Sequence, residues 1–496
     1  MRLSELVRGI YNKSLPGLYQ DFEVLTVSCD SREAQKDGLF VALTGAKYNG
    51  NDFIKDAIAQ GARIIVKQEG TVPFCSRGQF PSIDSVCVLE VDDPKYFLHC
   101  IGPRFYGDPA KKIKSIGVTG TNGKTTITYL IESIIHAAGR RCGVIGTVNY
   151  RIGGKILPSK NTTPGFLDNQ RYLAQLVGLG VDYCVMEASS HALHQGRLEG
   201  IKFSAGIFTN LTQDHLDYHK DMDNYFMAKS ILFKDLSPSA SSIINVDDEY
   251  GRQLLGLCRS KIMSYAIDHP ANVLARNITY QLSGSRFEIV FPEGRMKVHT
   301  RFIGKHNIYN ILAAFAWGLS QDLGPEIIRQ GIENLAHVPG RLEAVDNDKG
   351  LFIFIDYAHT DDGLINVLKA LRAVSQEKII LVFGCGGDRD RTKRPKMARA
   401  ACELADHSIV TTDNPRSEDP QAIINEVIGG FTKKNYEICT DRREAIGRAL
   451  KLAQKNQVVL IAGKGHEDYQ ILKDRTIAFN ERDIVKEFLC LQSPRS

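Results

Sequence analysis

The chain has 496 residues, 43% hydrophobic and 24% charged, which excludes a disordered protein and implies about three domains at roughly 100–200 residues each. Its 62 basic and 57 acidic residues leave a formal charge of +5, compatible with an anionic substrate and far too small for a nucleic-acid binder. The N-terminal MRLSELVRGIYNK lacks the apolar stretch of a secretory signal, and no run approaches the roughly 18 apolar residues of a membrane span. The 11 cysteines are scattered without a CxxC pair, which argues against a disulfide scaffold or a zinc site. A reducing cytoplasm is the expected location, with no membrane insertion.

The first segment, to about residue 110, contains DGLFVAL and ARIIVK as short strands, with DFIKDAIAQG between them as a helix closed by Gly61. It ends in the Gly/Pro-marked stretch Ile101–Lys111. The second begins with the strand KSIGVTG and runs to AHVPGR at 336–341.

That strand opens into GVTGTNGKTT at 117–126, followed by a helix whose apolar face is Ile127, Leu130, Ile131, Ile134 and Ile135 and whose end is Gly139. Strand, glycine loop and helix are the setting of a phosphate-binding loop. Backbone N–H groups from Gly120 through Thr121, Asn122 and Gly123 to Lys124 would cradle phosphate oxygens at the helix N-terminus. Lys124 would reach the terminal phosphates, and Thr125, followed by Thr126, would offer its hydroxyl to Mg²⁺. The general pattern wants glycine at 118, where this chain has Val118.

Two further strands of the segment end in suggestive residues. DYCVMEASSH places Glu187 just beyond an apolar run, and AGIFTNLTQDHLDYH brings His215 with a cluster of acids. Both reach the phosphate loop if their strands neighbour its strand. A carboxylate, a histidine, a threonine hydroxyl and waters would then suit Mg²⁺, although imidazole is not its preferred ligand. By spacing alone Lys229, about one helical turn from Tyr225, is a solvated or snorkelling lysine.

In the third segment the apolar runs LFIFI, KIILVF, SIVTT and QVVLIA alternate with helical stretches, which implies a mostly parallel sheet covered on both faces. The strands empty into DYAHTDD, GCGGDRDR, DNPRSEDP and GKGHEDYQ, the loops at strand carboxyl ends where open α/β sheets bind ligands.

In their order, GTNGKTT, EASSH, NLTQDHLDYH, HNIYNILAA, PGRLE, DYAHT and GKGHEDYQ, together with SCDSR, NTTP and DNPR, resemble the Mur ligase family over essentially the whole chain. The resemblance implies an α/β fold of three domains. These are a UDP-muramoyl-binding N-terminal domain over 1–110, a central P-loop ATPase with a mostly parallel sheet over 111–338, and a Rossmann-like amino-acid-binding domain over 339–496. It implies a cytoplasmic, monomeric ligase of peptidoglycan precursor synthesis. That enzyme would use ATP to add meso-diaminopimelate to UDP-N-acetylmuramoyl-L-alanyl-D-glutamate through an acyl phosphate. An L-lysine-adding or other Mur-type ligase, and an inactive nucleotide-binding regulator, are the alternatives.

Residue by residue, the resemblance assigns Glu187 and His215 to Mg²⁺ and makes Lys229 a carbamylated lysine supporting the metal beside Thr125. Asn307, Asn310, Arg341 and Asp356 match residues around ATP, with capping of the following helix as the other role for Asn307. Ser31, Asn161, Thr162, Thr163, Ser189, Gln195 and Arg197 match the UDP-muramoyl dipeptide site, Arg197 being the one suited to an anionic group. For the amino acid, DNPR supplies Asp413, Asn414, Pro415 and Arg416, joined by Arg389, Gly463 and Glu467. The Arg416 guanidinium would pair with the carboxylate that lysine lacks, and Arg389 would serve the other. Asp413 or Glu467 would meet an ammonium group. Three departures stand out: Asp361 in place of the family's usual proline, Ala398 in place of a frequent glycine, and KYNGNDF, which leaves the uracil contacts open.

Overall fold

The computed structural model describes residues 1–45, 48–71 and 86–491; Lys47 of KYNGNDF lies outside them. Among the described residues three large sheets follow one another along the chain, and a two-stranded ribbon, Tyr469–Ile471 with Thr476–Ala478, comes after them. The first has four strands in the order Val27–Ser28, Gly38–Val41, Ala62–Gln68 and Cys87–Val91, all parallel. The anticipated helix is Ile54–Ala59, followed by Gly61. A longer helix, Pro94–Phe105, closes this layer over Leu39, Val41, Ile64 and Val66.

The second sheet has eleven strands. Its parallel centre runs Val273–Gln281, Lys261–Ala266, Ser241–Asn245, Phe203–Phe208, Lys114–Thr119, Tyr183–Glu187 and Cys142–Ile145. Antiparallel pairs extend it at both edges. Alternate side chains of the central strands feed two cores. Ile116, Val118, Val185 and Ile207 pack under the helices Lys124–Ala137 and Lys305–Ser320. Cys184, Met186, Phe208 and Ile244 pack under Phe166–Gly178 and Met222–Lys234. The strand Lys114–Thr119 thus lies between the strand ending in Glu187 and the one leading to His215, the neighbour relation that would bring both to the phosphate loop. All five residues of the anticipated apolar helix face are buried.

The third sheet runs Glu343–Val345, Phe352–Asp356, Val458–Ala462, Ile379–Phe383, His407–Val410 and Tyr436–Ile438, parallel except for its first strand. The four central strands are the four apolar runs of the sequence. Their alternate residues supply separate cores on the two faces, so helices cover both sides.

The chain crosses between the second and third sheets at Val338–Leu342. Gly340 donates its N–H to Glu343 Oε2 at 2.9 Å and accepts from Tyr357 N at 2.9 Å, while Leu342 N donates to Asp356 Oδ2 at 2.6 Å. Arg482, in the last helix Glu481–Leu491, pairs with the same Glu343.

Candidate functional site

The phosphate loop turns on two glycines in left-handed backbone, Gly120 at φ +142° and Gly123 at φ +89°. A Cβ on Gly120 would lie 1.8 Å from Thr209 Oγ1, and one on Gly123 would lie 2.3 Å from Asn310 Oδ1, so only glycine fits. The loop is tied to the strand leading to His215. Thr121 N donates to Asn210 O at 2.8 Å, Asn122 N to Asn210 Oδ1 at 3.0 Å, and Thr209 Oγ1 to Asn122 O at 2.6 Å. Lys124 begins the helix and folds its Nζ onto the carbonyls of Gly120 and Thr121 at 2.9 and 2.8 Å. Burial holds its ammonium below the ordinary lysine range, with Glu187 and Asp214 opposing.

Glu187, 1% exposed, gathers the loops around it. Its Oε1 accepts from Thr125 Oγ1 at 3.0 Å and Thr147 N at 2.8 Å, and its Oε2 from Thr147 Oγ1 at 2.9 Å. Thr147 Oγ1 stands 3.0 Å from Thr162 Oγ1. Thr163 donates to the Glu187 carbonyl at 2.6 Å and receives Ser189 N at 3.1 Å, and Arg197 Nη1 reaches Thr163 O at 3.2 Å. Gln195 Oε1 accepts from the Arg197 guanidinium, and Asn161 is held at both backbone groups by Tyr150 OH. Five of the seven residues expected around the muramoyl dipeptide therefore form one hydrogen-bonded group with Glu187, and Asn161 precedes Thr162 in the chain. The seventh, Ser31, is buried in its own short turn, where the neighbouring Asp30 carboxyl is lowered first by Arg32 and also by Lys160.

Lys229 corrects its spacing-based reading. It is not solvated: it is 2% exposed, donates to Gly120 O at 2.8 Å and stands 4.5 Å over the Tyr225 ring. Its amine is pushed well below the ordinary lysine range by burial, then by the Lys124 charge. Helical spacing cannot reveal this, because the covering surface is the phosphate loop 109 residues away in sequence. His215 is half exposed at φ +53°, with its Nε2 3.5 Å from Asp214 Oδ2 and its ring 4.9 Å from that of His191. It makes no direct contact with Glu187 or Thr125. Among the described residues, no group of three or more His, Cys, Asp or Glu side chains could hold a metal ion by itself. Glu187 and Thr125, side by side, do suit Mg²⁺, which takes one or two protein oxygens and completes its shell with phosphate and water.

Asn307 and Asn310 are buried on Lys305–Ser320, with Asn310 Nδ2 donating to Asn307 Oδ1 at 3.1 Å. Gly304, not Asn307, holds the cap position of this helix, and Asn307 Nδ2 donates to Ile303 O. From the third sheet, Arg341 extends Nη2 to within 3.4 Å of Thr125 Oγ1 and lies 5.2 Å from the Tyr357 ring. Asp356, raised by burial, uses both oxygens on the backbone N–H groups of Leu342 and Ala358, so its part is to fix the crossing that carries Arg341.

Tyr357 continues toward the last group, its ring 4.9 Å from His466 and its hydroxyl raised first by burial and then by Glu467. Gly463 N donates to Asp356 O, and Asp413 Oδ2 lies 3.4 Å from where a Gly463 Cβ would stand. Asn414 Nδ2 donates to Glu467 Oε2 at 2.8 Å. Arg416, on left-handed backbone, donates Nη1 to Gly387 O at 2.7 Å, Pro415 O packs on Gly387, and Arg389 is exposed beside them. Sequence reasoning passed over Thr147, Asn210 and the fully buried Lys464. Only Asn210 and Lys464 lie inside motifs that were read.

Family models match most of the chain in three blocks: the Mur ligase family catalytic domain over 23–98, the Mur ligase middle domain over 118–318, and the Mur ligase glutamate ligase domain over 340–465. The chain is 43% identical to the UDP-N-acetylmuramoyl-L-alanyl-D-glutamate–2,6-diaminopimelate ligase of Geobacter metallireducens, covering 98% of each. It is 41% identical to the enzyme of the same name from Clostridium tetani, covering 99% of each. A solved structure of a ligase of that name aligns over 97% of both chains with a TM-score of 0.69 and 31% identity.

Proposed function

The chain belongs to the Mur ligase family, and on that premise we propose that it joins meso-diaminopimelate to UDP-N-acetylmuramoyl-L-alanyl-D-glutamate with cleavage of ATP. It supplies a peptidoglycan precursor in the cytoplasm and acts as a monomer. Residues 1–110 form the UDP-muramoyl domain, 111–338 the ATPase and 339–496 the amino-acid domain.

One observation carries this reading. An unbroken line of contacts runs from Thr162 through Thr147 and Glu187 to Thr125, and on to Arg341 and Tyr357. This line of contacts supports a common site for the two nucleotide substrates, with the amino-acid group adjoining it through Tyr357.

A carboxylate is a weak nucleophile against a triphosphate because both are anions. Lys124 and Arg341 set positive charge on the two sides of Thr125, where the terminal phosphates would lie. The substrate carboxylate oxygen bonds to the γ-phosphorus as the bond to ADP breaks. The diaminopimelate amine then attacks the acyl carbon, loses its proton, and inorganic phosphate leaves. Glu187 and Thr125, with support from His215 and Lys229, would hold Mg²⁺, which would supply charge neutralisation for the phosphates. Lys229 would support the metal as a carbamate. Burial and the Lys124 charge favour its uncharged amine, which bonds to CO₂ with release of a proton and leaves an anion beside Lys124. Asn161, Thr162, Thr163, Ser189, Gln195, Arg197 and Ser31 orient the dipeptide; Arg416, Arg389, Asp413, Asn414, Pro415, Gly463 and Glu467 orient the amino acid.

The test is phosphate release from ATP with the UDP-linked dipeptide and a panel of amino acids. Release should require both the dipeptide and meso-diaminopimelate. Faster turnover on L-lysine would assign the other amino acid, and release without the dipeptide would remove the ligase reading.

A further inference from the structure

Lys464 is a further cation of the amino-acid region, and unlike the exposed Arg389 no part of its side chain reaches solvent. Its Nζ donates to Asn414 Oδ1 at 3.0 Å and to Glu467 Oε2 at 3.2 Å, and forms an ion pair with Asp413 Oδ1 at 3.7 Å that is too long for a hydrogen bond. Asn414 completes the ring: its Oδ1 also accepts from Ile471 N at 2.9 Å, and its Nδ2 donates to Glu467 Oε2 at 2.8 Å. The amide can therefore point only one way, and Glu467 Oε2 already has two donors.

Asp413 is left differently. Its backbone carbonyl is pinned by Gln470 Nε2 at 2.6 Å, but its buried Oδ1 has no hydrogen-bond partner. The Arg442 guanidinium, which with Asp413 flanks Gly463, is committed to Glu481 at 2.7 Å and to Ala462 O at 2.8 Å. A buried carboxylate oxygen without a donor is costly unless a ligand supplies one.

We propose that Lys464 is a positioning residue that sets specificity: by occupying Asn414 Oδ1 and Glu467 Oε2 it reserves Asp413 Oδ1 for an ammonium group of the amino-acid substrate. With Arg416 on the same short loop, Asp413 then reads a zwitterionic head, the ammonium on one residue and the carboxylate on the other. An amino acid whose far end carries only an ammonium satisfies half of this pair. The inference rests on the ligase reading above and adds a residue to it.

The experiment is steady-state kinetics of the full chain with Lys464→Gln and Lys464→Arg, varying meso-diaminopimelate, ATP and the UDP-dipeptide in turn. Lys464→Gln should raise KM for meso-diaminopimelate at least about tenfold, with KM for the other two substrates within about twofold and kcat within about threefold. Lys464→Arg, which keeps the charge but enlarges the head, should give a smaller rise of at least about threefold, again confined to meso-diaminopimelate. An unchanged KM for meso-diaminopimelate, or an equal rise for all three substrates, overturns the assignment. If Lys464→Gln fails to fold, by circular dichroism and melting, Lys464→Arg decides on the same criterion. The unmodified chain separates the two levels: if it does not turn over meso-diaminopimelate the ligase reading fails, and if it does, the variants judge Lys464 alone.

Discussion

Thr125 and Glu187 stand hydroxyl to carboxylate at 3.0 Å, one at the start of the phosphate-loop helix and the other at the end of the adjacent strand. The pair puts a negative charge directly behind the hydroxyl expected to meet Mg²⁺. Glu187→Gln keeps the size and removes the charge. It should weaken the Mg²⁺ dependence of phosphate release and lower kcat by about 10²–10³-fold, the range seen when one preorganised charge partner is lost. A variant with the parent's Mg²⁺ titration curve would show that Glu187 only braces Thr147.

Lys229 is enclosed by the phosphate loop and held as a poor base. Lys229→Ala should reduce turnover about 100-fold or more. The intact chain should lose activity in CO₂-depleted buffer and regain it with bicarbonate. Near-wild-type kinetics of the variant at every bicarbonate concentration would remove the carbamate from the mechanism.

Arg416 sits at φ +52°, where alanine would be strained and asparagine is tolerated. Arg416→Asn therefore tests the guanidinium with little backbone penalty. Preference for meso-diaminopimelate over L-lysine, measured as the ratio of kcat/KM values, should fall by roughly 10²-fold or more. A ratio equal to the parent's would place the distal carboxylate elsewhere.

His219 is buried against Ser190, and burial first, then the neighbouring His191, His194, Lys229 and His215, lowers its pKa to about 4. Its ordinary value is 6.5, so between pH 6.5 and 4 the unfolded chain binds the extra proton and stability falls as pH falls. The slope is at most about 1.4 kcal/mol per pH unit for this one group, and it vanishes above the window. His219→Gln should flatten the acid limb of a plot of denaturation midpoint against pH. An unaltered limb would assign the acid sensitivity to other groups.

Much of the site was legible because phosphate binding and parallel sheets leave local signatures. GVTGTNGKTT needs its glycines for space that Thr209 and Asn310 occupy, and the four apolar runs of the third segment became four adjacent strands. What could not be read depends on surfaces distant in sequence. Lys229 is buried by the phosphate loop and Lys464 by Asn414, 50 residues before it. Thr147 lies in an unpatterned turn and matters only because Glu187 folds against it. His215 carries a recognisable motif, yet its half-exposed, left-handed setting belongs to the loop and not to its strand.

The crossing at Val338–Leu342 has a kinetic corollary. On either side of Arg341, Gly340 is fastened to Tyr357 and Leu342 to Asp356, so the guanidinium is cargo of the third sheet. Any swing of that lobe carries a positive charge away from Thr125 in the same stroke. Parting the two lobes would thus also part Arg341 from any phosphate held beside Thr125.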